Sequence, residues 1–316
     1  MRKDFDCILC GSCVADILCR PVRLDAAIGG GQLFRTEPLQ VVTGGIVNNS
    51  GVAMARLGMR TAAFTYVGRD EWARLIRGRL EAEGLDCTGL LEHPTASTST
   101  TVVLIDPSGE RSFAHCVGAP ELMDGRLFLD HLDRFARSRM TLIGYYSLMC
   151  NLDNDLPEVL AAIRETGCKT ALDCAGSGGT MQPLERILPH LDIYVPSLNE
   201  ASHQTGLDDP QAILNLYRGC GAAGLLGIKL GSKGVLLSPA GGECIEIPAV
   251  TPPGPIMDTT GAGDCFYAGL LTGLLRGLDV RSAGLLGAAA GACCITALGA
   301  TAGIRDFAAT ARLAGL

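Results

Sequence analysis

A run of small residues precedes an acidic residue near the carboxyl terminus. The sequence places Gly261, Ala262 and Gly263 directly before Asp264, and an apolar stretch from 265 to about 275 follows. Small residues let the backbone turn sharply and leave its amides uncovered, and a helix that begins there adds unpaired N–H groups and the positive end of its dipole. This pattern predicts a phosphate site. Asp264 stands beside it as a general base for a hydroxyl that receives a phosphoryl group.

The same pattern has a simpler interpretation. Glycine-rich turns often precede helices, and an Asp in a first helical turn interacts favourably with the helix dipole without any catalytic role. The residue types alone leave both interpretations open.

The stretch Asp258-Thr259-Thr260-Gly261-Ala262-Gly263-Asp264 resembles the C-terminal signature of the PfkB, or ribokinase-like, carbohydrate kinases. The resemblance implies that Asp264 is the general base and that the amides of residues 261–263 stabilise the transferring phosphoryl group. It also implies a monovalent-cation site, for K⁺, at the backbone of Asp258 and Thr260.

A second signature lies near the amino terminus. Gly44 and Gly45 let a ligand approach the backbone, and the amide of Asn49 can both donate to and accept from a sugar hydroxyl. Capping of the following helix by Asn48 or Asn49 is the alternative. The stretch from Gly44 to Gly58 resembles the N-terminal signature of the same family, which implies that Gly44, Gly45 and Asn49 bind the substrate. Asp16, just past the first predicted strand, resembles the family's substrate-binding Asp.

Two further stretches concern ATP and Mg²⁺. The positions of Lys229, Gly231 and Gly234 resemble the family's Lys-x-Gly-x-x-Gly element, which implies ATP binding; a tight β-hairpin is the alternative. Glu200 resembles the Glu of the family's Asn-x-x-Glu element, which helps to hold Mg²⁺ through water, and Ser197 takes the Asn position. For Glu200 the alternative is a favourable charge in a first helical turn.

Strands alternate with helical segments through most of the chain. Apolar strands are predicted near residues 6–14, 61–67, 140–143, 170–173, 192–195 and 224–229. This alternation indicates an α/β protein with a parallel sheet. The segments at about 17–43 and 99–116 do not fit it. Both are β-rich, the second holds a strong turn at 106–109, and we expect them to form a small second sheet.

The resemblance spans the chain from about Asp6 to Ala300. It implies a single ribokinase-like kinase domain over residues 1–316, with a three-layer αβα fold and a central, mostly parallel sheet. It further implies that the second sheet is a lid over the sugar and the contact of a homodimer. We assign the choice of sugar to these lid segments.

Composition narrows the range of partners. The 316 residues are 47% hydrophobic and 19% charged, which is typical of a globular chain, and the net charge of −7 argues against nucleic acid as a partner.

The segment Ser282–Ile304 carries no charge and is long enough to span a bilayer. Because it is mostly Ala and Gly, we expect a buried helix instead, in a cytoplasmic protein without a membrane partner.

The chain also has 14 Cys, which raises the question of a redox centre. The spacing of Cys7, Cys10, Cys13 and Cys19 is not that of the bacterial ferredoxin run. Odd spacing in a strand places Cys7 and Cys10 on opposite faces. We expect reduced, buried thiols; a redox protein that uses this run is the alternative.

These observations lead to the expectation of ATP-dependent phosphorylation of a hydroxyl on a small sugar or sugar derivative. A nucleoside kinase of the same fold is one alternative, with Phe34, Phe113, Tyr145 and Tyr146 as candidate platforms for a base. A non-catalytic sugar-binding protein is another.

Overall fold

A computed structural model describes residues 3–24, 31, 33–176 and 178–316. Residues 25–30 and 32 of the predicted lid segment lie outside the described residues. The strands are β1 (Phe5–Gly11), β2 (Val14–Cys19), β3 (Gln40–Gly44), β4 (Thr61–Val67), β5 (Asp86–Glu92), β6 (Ser99–Ile105), β7 (Arg111–Cys116), β8 (Ser138–Gly144), β9 (Lys169–Leu172), β10 (Ile193–Tyr194), β11 (Leu225–Lys229), β12 (Val235–Ser238) and β13 (Ile245–Ile247). The α-helices are α1 (Gly45–Arg56), α2 (Glu71–Ala82), α3 (Gly125–Leu129), α4 (Leu132–Ala136), α5 (Leu156–Glu165), α6 (Met181–Ile187), α7 (Leu198–Thr205), α8 (Pro210–Gly219), α9 (Ala262–Leu275), α10 (Val280–Cys294) and α11 (Phe307–Leu313).

The larger sheet has the strand order β13-β12-β11-β10-β9-β8-β1-β4-β5 in the described part of the chain. Neighbours from β11 through β5 are parallel, and only the pairs β11–β12 and β12–β13 are antiparallel. The sequence of β1 is a nearly continuous apolar run, as expected for a strand buried on both faces. The predicted mostly parallel sheet is therefore confirmed.

Helices cover both faces of this sheet. Alternate residues of β1 point to opposite sides: Cys7 and Leu9 pack with α1, α2, α9 and α10, whereas Ile8 and Cys10 pack with α3 to α8. The three-layer arrangement follows from these two separate hydrophobic cores. It also places Cys7 and Cys10 on opposite faces of the sheet, as the spacing predicts.

The two β-rich insertions meet in a smaller sheet of order β3-β2-β6-β7. Strands β2 and β6 are parallel neighbours, with Asp16 opposite Thr101, and each insertion adds one antiparallel strand at an edge. The predicted second sheet is confirmed by this pairing, which joins segments about 85 residues apart in sequence.

Helices α9 and α10 lie unusually close to each other because glycines line their contact. A Cβ atom on Gly269 would lie 2.7 Å from the carbonyl oxygen of Leu286, and one on Gly273 would lie 2.7 Å from Cα of Ala283. The uncharged segment Ser282–Ile304 is not one continuous helix, because α10 ends at Cys294. Within the described ranges, no helix is long and apolar enough to cross a membrane.

Candidate active site

The turn before α9 requires glycine at its first position. Gly261 has a φ of +75°, in the left-handed region, and a Cβ atom there would lie 2.3 Å from Cβ of Ala300. The N–H of Ala262 donates to the carbonyl of Thr259 at 3.3 Å. The N–H groups of Gly261 and Gly263 have no acceptor among the described residues. The predicted anion site therefore keeps two uncovered amides at the start of α9, whereas the third is used within the turn.

Asp264 lies in the first turn of α9 and is only 4% exposed. Its Oδ2 accepts hydrogen bonds of 2.7 Å from Nδ2 of Asn49 and of 2.7 Å from the hydroxyl of Tyr145. Among the described residues, no hydrogen-bond donor reaches its Oδ1. Burial raises the pKa of Asp264, against the opposing effect of these two hydrogen bonds and of the Lys229 charge.

Asn49 belongs to a chain of hydrogen bonds that begins in the second sheet. Thr43 of β3 donates to Oδ1 of Asn48 at 2.6 Å, and Asn48 donates to Oδ1 of Asn49 at 3.1 Å. Because α1 begins at Gly45, neither Asn caps this helix, and that alternative is wrong. Both ends of the Asn49 amide are engaged within the protein, with its donor group on Asp264.

Asp16 and the two predicted substrate-binding glycines lie together at the start of α1. A Cβ atom on Gly44 would lie 2.3 Å from Oδ2 of Asp16, and one on Gly45 would lie 2.5 Å from the carbonyl oxygen of Ser12. The glycines thus let the helix start approach Asp16 closely. Burial raises the pKa of Asp16, and a hydrogen bond from Thr101 opposes this effect.

Lys229 is buried under the turn before α9. Its Nζ lies 3.2 Å from Oδ1 of Asp173, and the two side chains are 14% and 2% exposed. A Cβ atom on Gly263 would lie 3.3 Å from the same Nζ, which places the ammonium group directly beside the predicted anion site. Burial raises the pKa of Asp173 to about 7, although the Lys229 charge opposes the shift.

The residues after Lys229 form a hairpin, which was the alternative interpretation of this stretch. Strands β11 and β12 are antiparallel neighbours. Gly234 has a φ of +97°, and a Cβ atom there would lie 2.0 Å from the carbonyl oxygen of Ile247, so this glycine is required by the packing of β13. Gly231, with a φ of +60°, faces open space.

Ser197 and Glu200 form a capping box at the start of α7. The backbone N–H and the hydroxyl of Ser197 both donate to Oε2 of Glu200 at 2.7 Å. The alternative interpretation of Glu200, as a favourable charge in the first turn of a helix, is therefore observed. The other carboxylate oxygen of Glu200 has no partner among the described residues. A carboxylate oxygen can bind Mg²⁺ or accept hydrogen bonds from its bound waters, so Ser197 and Glu200 fit the predicted metal role.

The predicted cation segment is connected to the second sheet by Arg111, a residue that the sequence analysis did not select. Oδ1 of Asp258 lies 3.0 Å from Nη2 of Arg111 in β7 and accepts from the N–H of Thr260 at 2.9 Å. Burial opposes ionisation of Asp258, but the N–H donors of Thr260 and Gly299 and the Arg111 charge outweigh it, so its pKa is lowered. The carbonyl of Thr260 accepts from the Cys294 thiol at 3.3 Å.

Two of the competing interpretations lose support from the geometry. Tyr146 is 1% exposed and donates to the carbonyl of Gly178 at 3.0 Å, so it cannot be a platform for a base. Every cysteine is a free thiol, and among the described residues no group of three or more His, Cys, Asp or Glu side chains could hold a metal ion.

A buried carboxylate thus lies beside uncovered helix-start amides at the carboxyl ends of a parallel sheet, which is where open α/β sheets bind their ligands and where a helix start can bind an anion. The model of the pfkB family of carbohydrate kinases matches residues 6–306, and the chain belongs to this family.

Individual relatives agree with the family assignment. The chain is 27% identical over 287 residues to a ribokinase of Haemophilus influenzae, with 87% of this chain and 88% of that protein covered. It is 30% identical over 241 residues to a fructokinase of Klebsiella pneumoniae, covering 73% and 76%. The structure of Arabidopsis thaliana ribokinase complexed with ribose and ATP superposes with a TM-score of 0.84 over 99% of both chains at 24% identity, which supports the same fold.

Proposed function

We propose that the protein transfers the γ-phosphoryl group of ATP to a hydroxyl of a small sugar or sugar derivative. One observation carries the proposal: the Asp264 carboxylate is buried and fixed by two hydrogen bonds, beside two amides without acceptors at the start of α9. This is the pair of features that the transfer needs, a base for the hydroxyl proton and donors for the phosphoryl charge.

In this mechanism Asp264 takes the proton of the attacking hydroxyl. The amides of Gly261 and Gly263 donate to the oxygens of the phosphoryl group, and the first turn of α9 adds the positive end of its dipole. The Lys229 ammonium group lies next to the same turn and adds positive charge where negative charge accumulates. Because the site is buried, each of these interactions is stronger than it would be in water.

ATP and Mg²⁺ are the cofactors of this proposal. Gly231 faces open space and Lys229 lies near the turn, so we assign nucleotide binding to this side of the site, together with Ser197 and the tightly packed Gly234. Glu200 would hold Mg²⁺ through water by its free oxygen. When bound, the metal neutralises charge on the ATP phosphates and orients the γ-phosphoryl group.

The sugar is assigned to the opposite side of Asp264, between the start of α1 and the second sheet. Asp16 carries a partly buried carboxylate that can accept from sugar hydroxyls, and Gly44 and Gly45 keep the backbone close to it. The second sheet would then cover the sugar as a lid. The H. influenzae ribokinase and the K. pneumoniae fructokinase, by their names, act on a pentose and a ketohexose.

The test is ADP release from purified protein with MgATP and a panel of pentoses, ketohexoses, sugar acids and nucleosides. We expect turnover with at least one sugar, and Asp264→Asn should reduce kcat by ~10²–10⁴-fold while ATP still binds. Unchanged turnover in Asp264→Asn would contradict the assignment of the base. Turnover with nucleosides alone would favour a nucleoside kinase, and ATP binding without turnover on the whole panel would favour a non-catalytic role.

A further inference from the structure

Tyr145 has a backbone conformation that side chains rarely adopt. Its φ of +62° and ψ of 36° lie in the left-handed region, and it is the one non-glycine residue with a positive φ in the described part of the chain. This conformation is unfavourable for a residue with a Cβ atom, and such residues persist where the surrounding structure holds them, often at functional sites. The strained position directly follows β8, at the carboxyl edge of the central sheet.

The turn at Tyr145 sends two consecutive tyrosines to opposite sides of the sheet. Tyr145 packs against the core that contains α1 and α9, and its hydroxyl donates to Oδ2 of Asp264 at 2.7 Å. Tyr146 belongs to the other core, and its hydroxyl donates to the carbonyl of Gly178. The unusual conformation therefore has a specific result, which is contact between one tyrosine hydroxyl and the proposed base.

We propose that Tyr145 is a positioning residue that selects which oxygen of Asp264 acts as the base. This inference rests on the proposed function. The hydroxyl of Tyr145 and the amide of Asn49 both occupy Oδ2, so Oδ1 is left to accept a proton. In the reaction the O–H bond of the sugar breaks, its proton moves to Oδ1, and the sugar oxygen bonds to the γ-phosphorus as the bond from that phosphorus to the ADP oxygen breaks.

The same hydrogen bond keeps Asp264 ionised in a buried site. Donors to a carboxylate stabilise its charged form and thus oppose the effect of burial on its pKa. Burial also raises the pKa of Tyr145 well above its usual value, so its hydroxyl stays protonated as a donor. The other titratable groups that act on Asp264 or adjoin it are Lys229 in β11, Glu200 in α7, Asp173 after β9 and Cys265 in α9. All four groups remain present when the Tyr145 hydroxyl is removed, so the variant differs from the wild type by one donor to Asp264.

The matched pair of variants is Tyr145→Phe and Tyr146→Phe. Each removes one hydroxyl from a largely buried ring, but only the first removes a donor to Asp264. The pKa of Asp264 can be measured by carbon-13 NMR of labelled Asp carboxyl groups in the full-length protein, with its signal identified by its absence in Asp264→Asn. We expect it to rise by about one pH unit in Tyr145→Phe, since one hydrogen bond to the charged form is lost, and to stay unchanged in Tyr146→Phe.

Kinetics provide the second measurement on the same variants. Asp264 must be ionised to act, so the acid limb of the kcat profile should move to higher pH by about one unit in Tyr145→Phe, which makes kcat about tenfold lower at any pH on that limb. An unchanged pKa of Asp264 in Tyr145→Phe would overturn the inference, whatever happens to kcat. Because the NMR titration needs no turnover, it tests this inference even if no sugar is phosphorylated, an outcome that would count against the proposed function alone.

Discussion

Arg111 in the second sheet forms an ion pair with Asp258, six residues before the proposed base. Nη2 of Arg111 lies 3.0 Å from Oδ1 of Asp258, and Nη1 donates to the hydroxyl of Thr260 at 2.6 Å. Asp258 is largely buried, whereas Arg111 is partly exposed. The second sheet and the turn that begins α9 are thus connected by a charge-assisted contact, so the position of one depends on the other.

Replacing Arg111 should loosen this connection. In Arg111→Met, the buried Asp258 carboxylate loses its cationic partner, and we expect kcat/KM for the sugar to fall about tenfold, or ~1.4 kcal/mol. K⁺ should restore part of the loss and stimulate the variant more than the wild type. A cation at the Asp258–Thr260 segment replaces the missing charge there, whereas the bulky tetramethylammonium ion cannot.

Arg126→Met is the matched control for this experiment. Arg126 also forms an ion pair, with Asp130 at 3.3 Å, but both side chains are exposed on the surface. Such pairs contribute little, so kinetics and cation response should match those of the wild type. An Arg111→Met enzyme with wild-type kinetics would show that the ion pair does not position the turn.

Gly261→Ala should damage both stability and catalysis. The new Cβ atom meets Ala300 and sits on a left-handed residue, whereas in Gly277→Ala, at the far end of the same helix, the φ of +84° is similar but the space is open. Both variants should lose ~1–2 kcal/mol of unfolding free energy to backbone strain. Gly261→Ala should lose a further ~1–3 kcal/mol to the clash, with kcat at least about 100-fold lower. Urea unfolding and ADP release measure the two effects, and equal losses in the two variants would rule out the clash.

Lys229→Met should make stability strongly dependent on pH. Without Lys229, the pKa of the buried Asp173 rises above its present value of about 7. The folded state then binds a proton that the unfolded state, with an ordinary carboxyl pKa, has lost, so the free energy of unfolding falls as pH rises toward the folded-state pKa. In the wild type this loss ends near pH 7, so we expect the variant to lose stability more steeply between about pH 7 and 8.5, measured by urea unfolding. The double variant Lys229→Met/Asp173→Asn has no carboxyl at position 173 to ionise, so the extra slope should disappear. A slope that persists in the double variant would show that another titratable group causes it.

The predicted homodimer through the second sheet can be tested at Phe113. This residue is 62% exposed on β7, an edge strand with unpaired backbone groups. We expect a dimer by light scattering after size exclusion, and a monomer in Phe113→Asp. Leu216→Asp, at a 38% exposed position in α8, is the control and should remain dimeric. A wild-type monomer at tens of micromolar would contradict the prediction.

The sequence was sufficient for those features whose signal is local. The alternation of strands and helices predicted the central sheet, and the two insertions that broke it predicted the second sheet. The small residues at 261–263 predicted an uncovered turn because glycine alone tolerates the left-handed conformation and the close approach of Ala300 there.

Features that depend on tertiary contacts had no local signal. Tyr145 and Asp264 are separated by 119 positions, and a left-handed tyrosine is not expected from its residue type. Asn49 could be identified as polar and near a glycine turn, but its partner could not, because that depends on how α1 packs against α9. Likewise, no residue near Arg111 in the sequence indicates that Arg111 forms an ion pair with Asp258.

The glycine contact between α9 and α10 has a consequence for how substrate range can change. Sliding or rotating α9 would push Gly269 and Gly273 into the backbone of α10, so the proposed base and the turn before it keep a fixed depth in the protein. The second sheet is built from two insertions and contacts the turn through an ion pair that can be replaced by single substitutions. Adaptation to larger or smaller sugars is therefore expected to proceed by remodelling these insertions, while the reacting groups stay where they are.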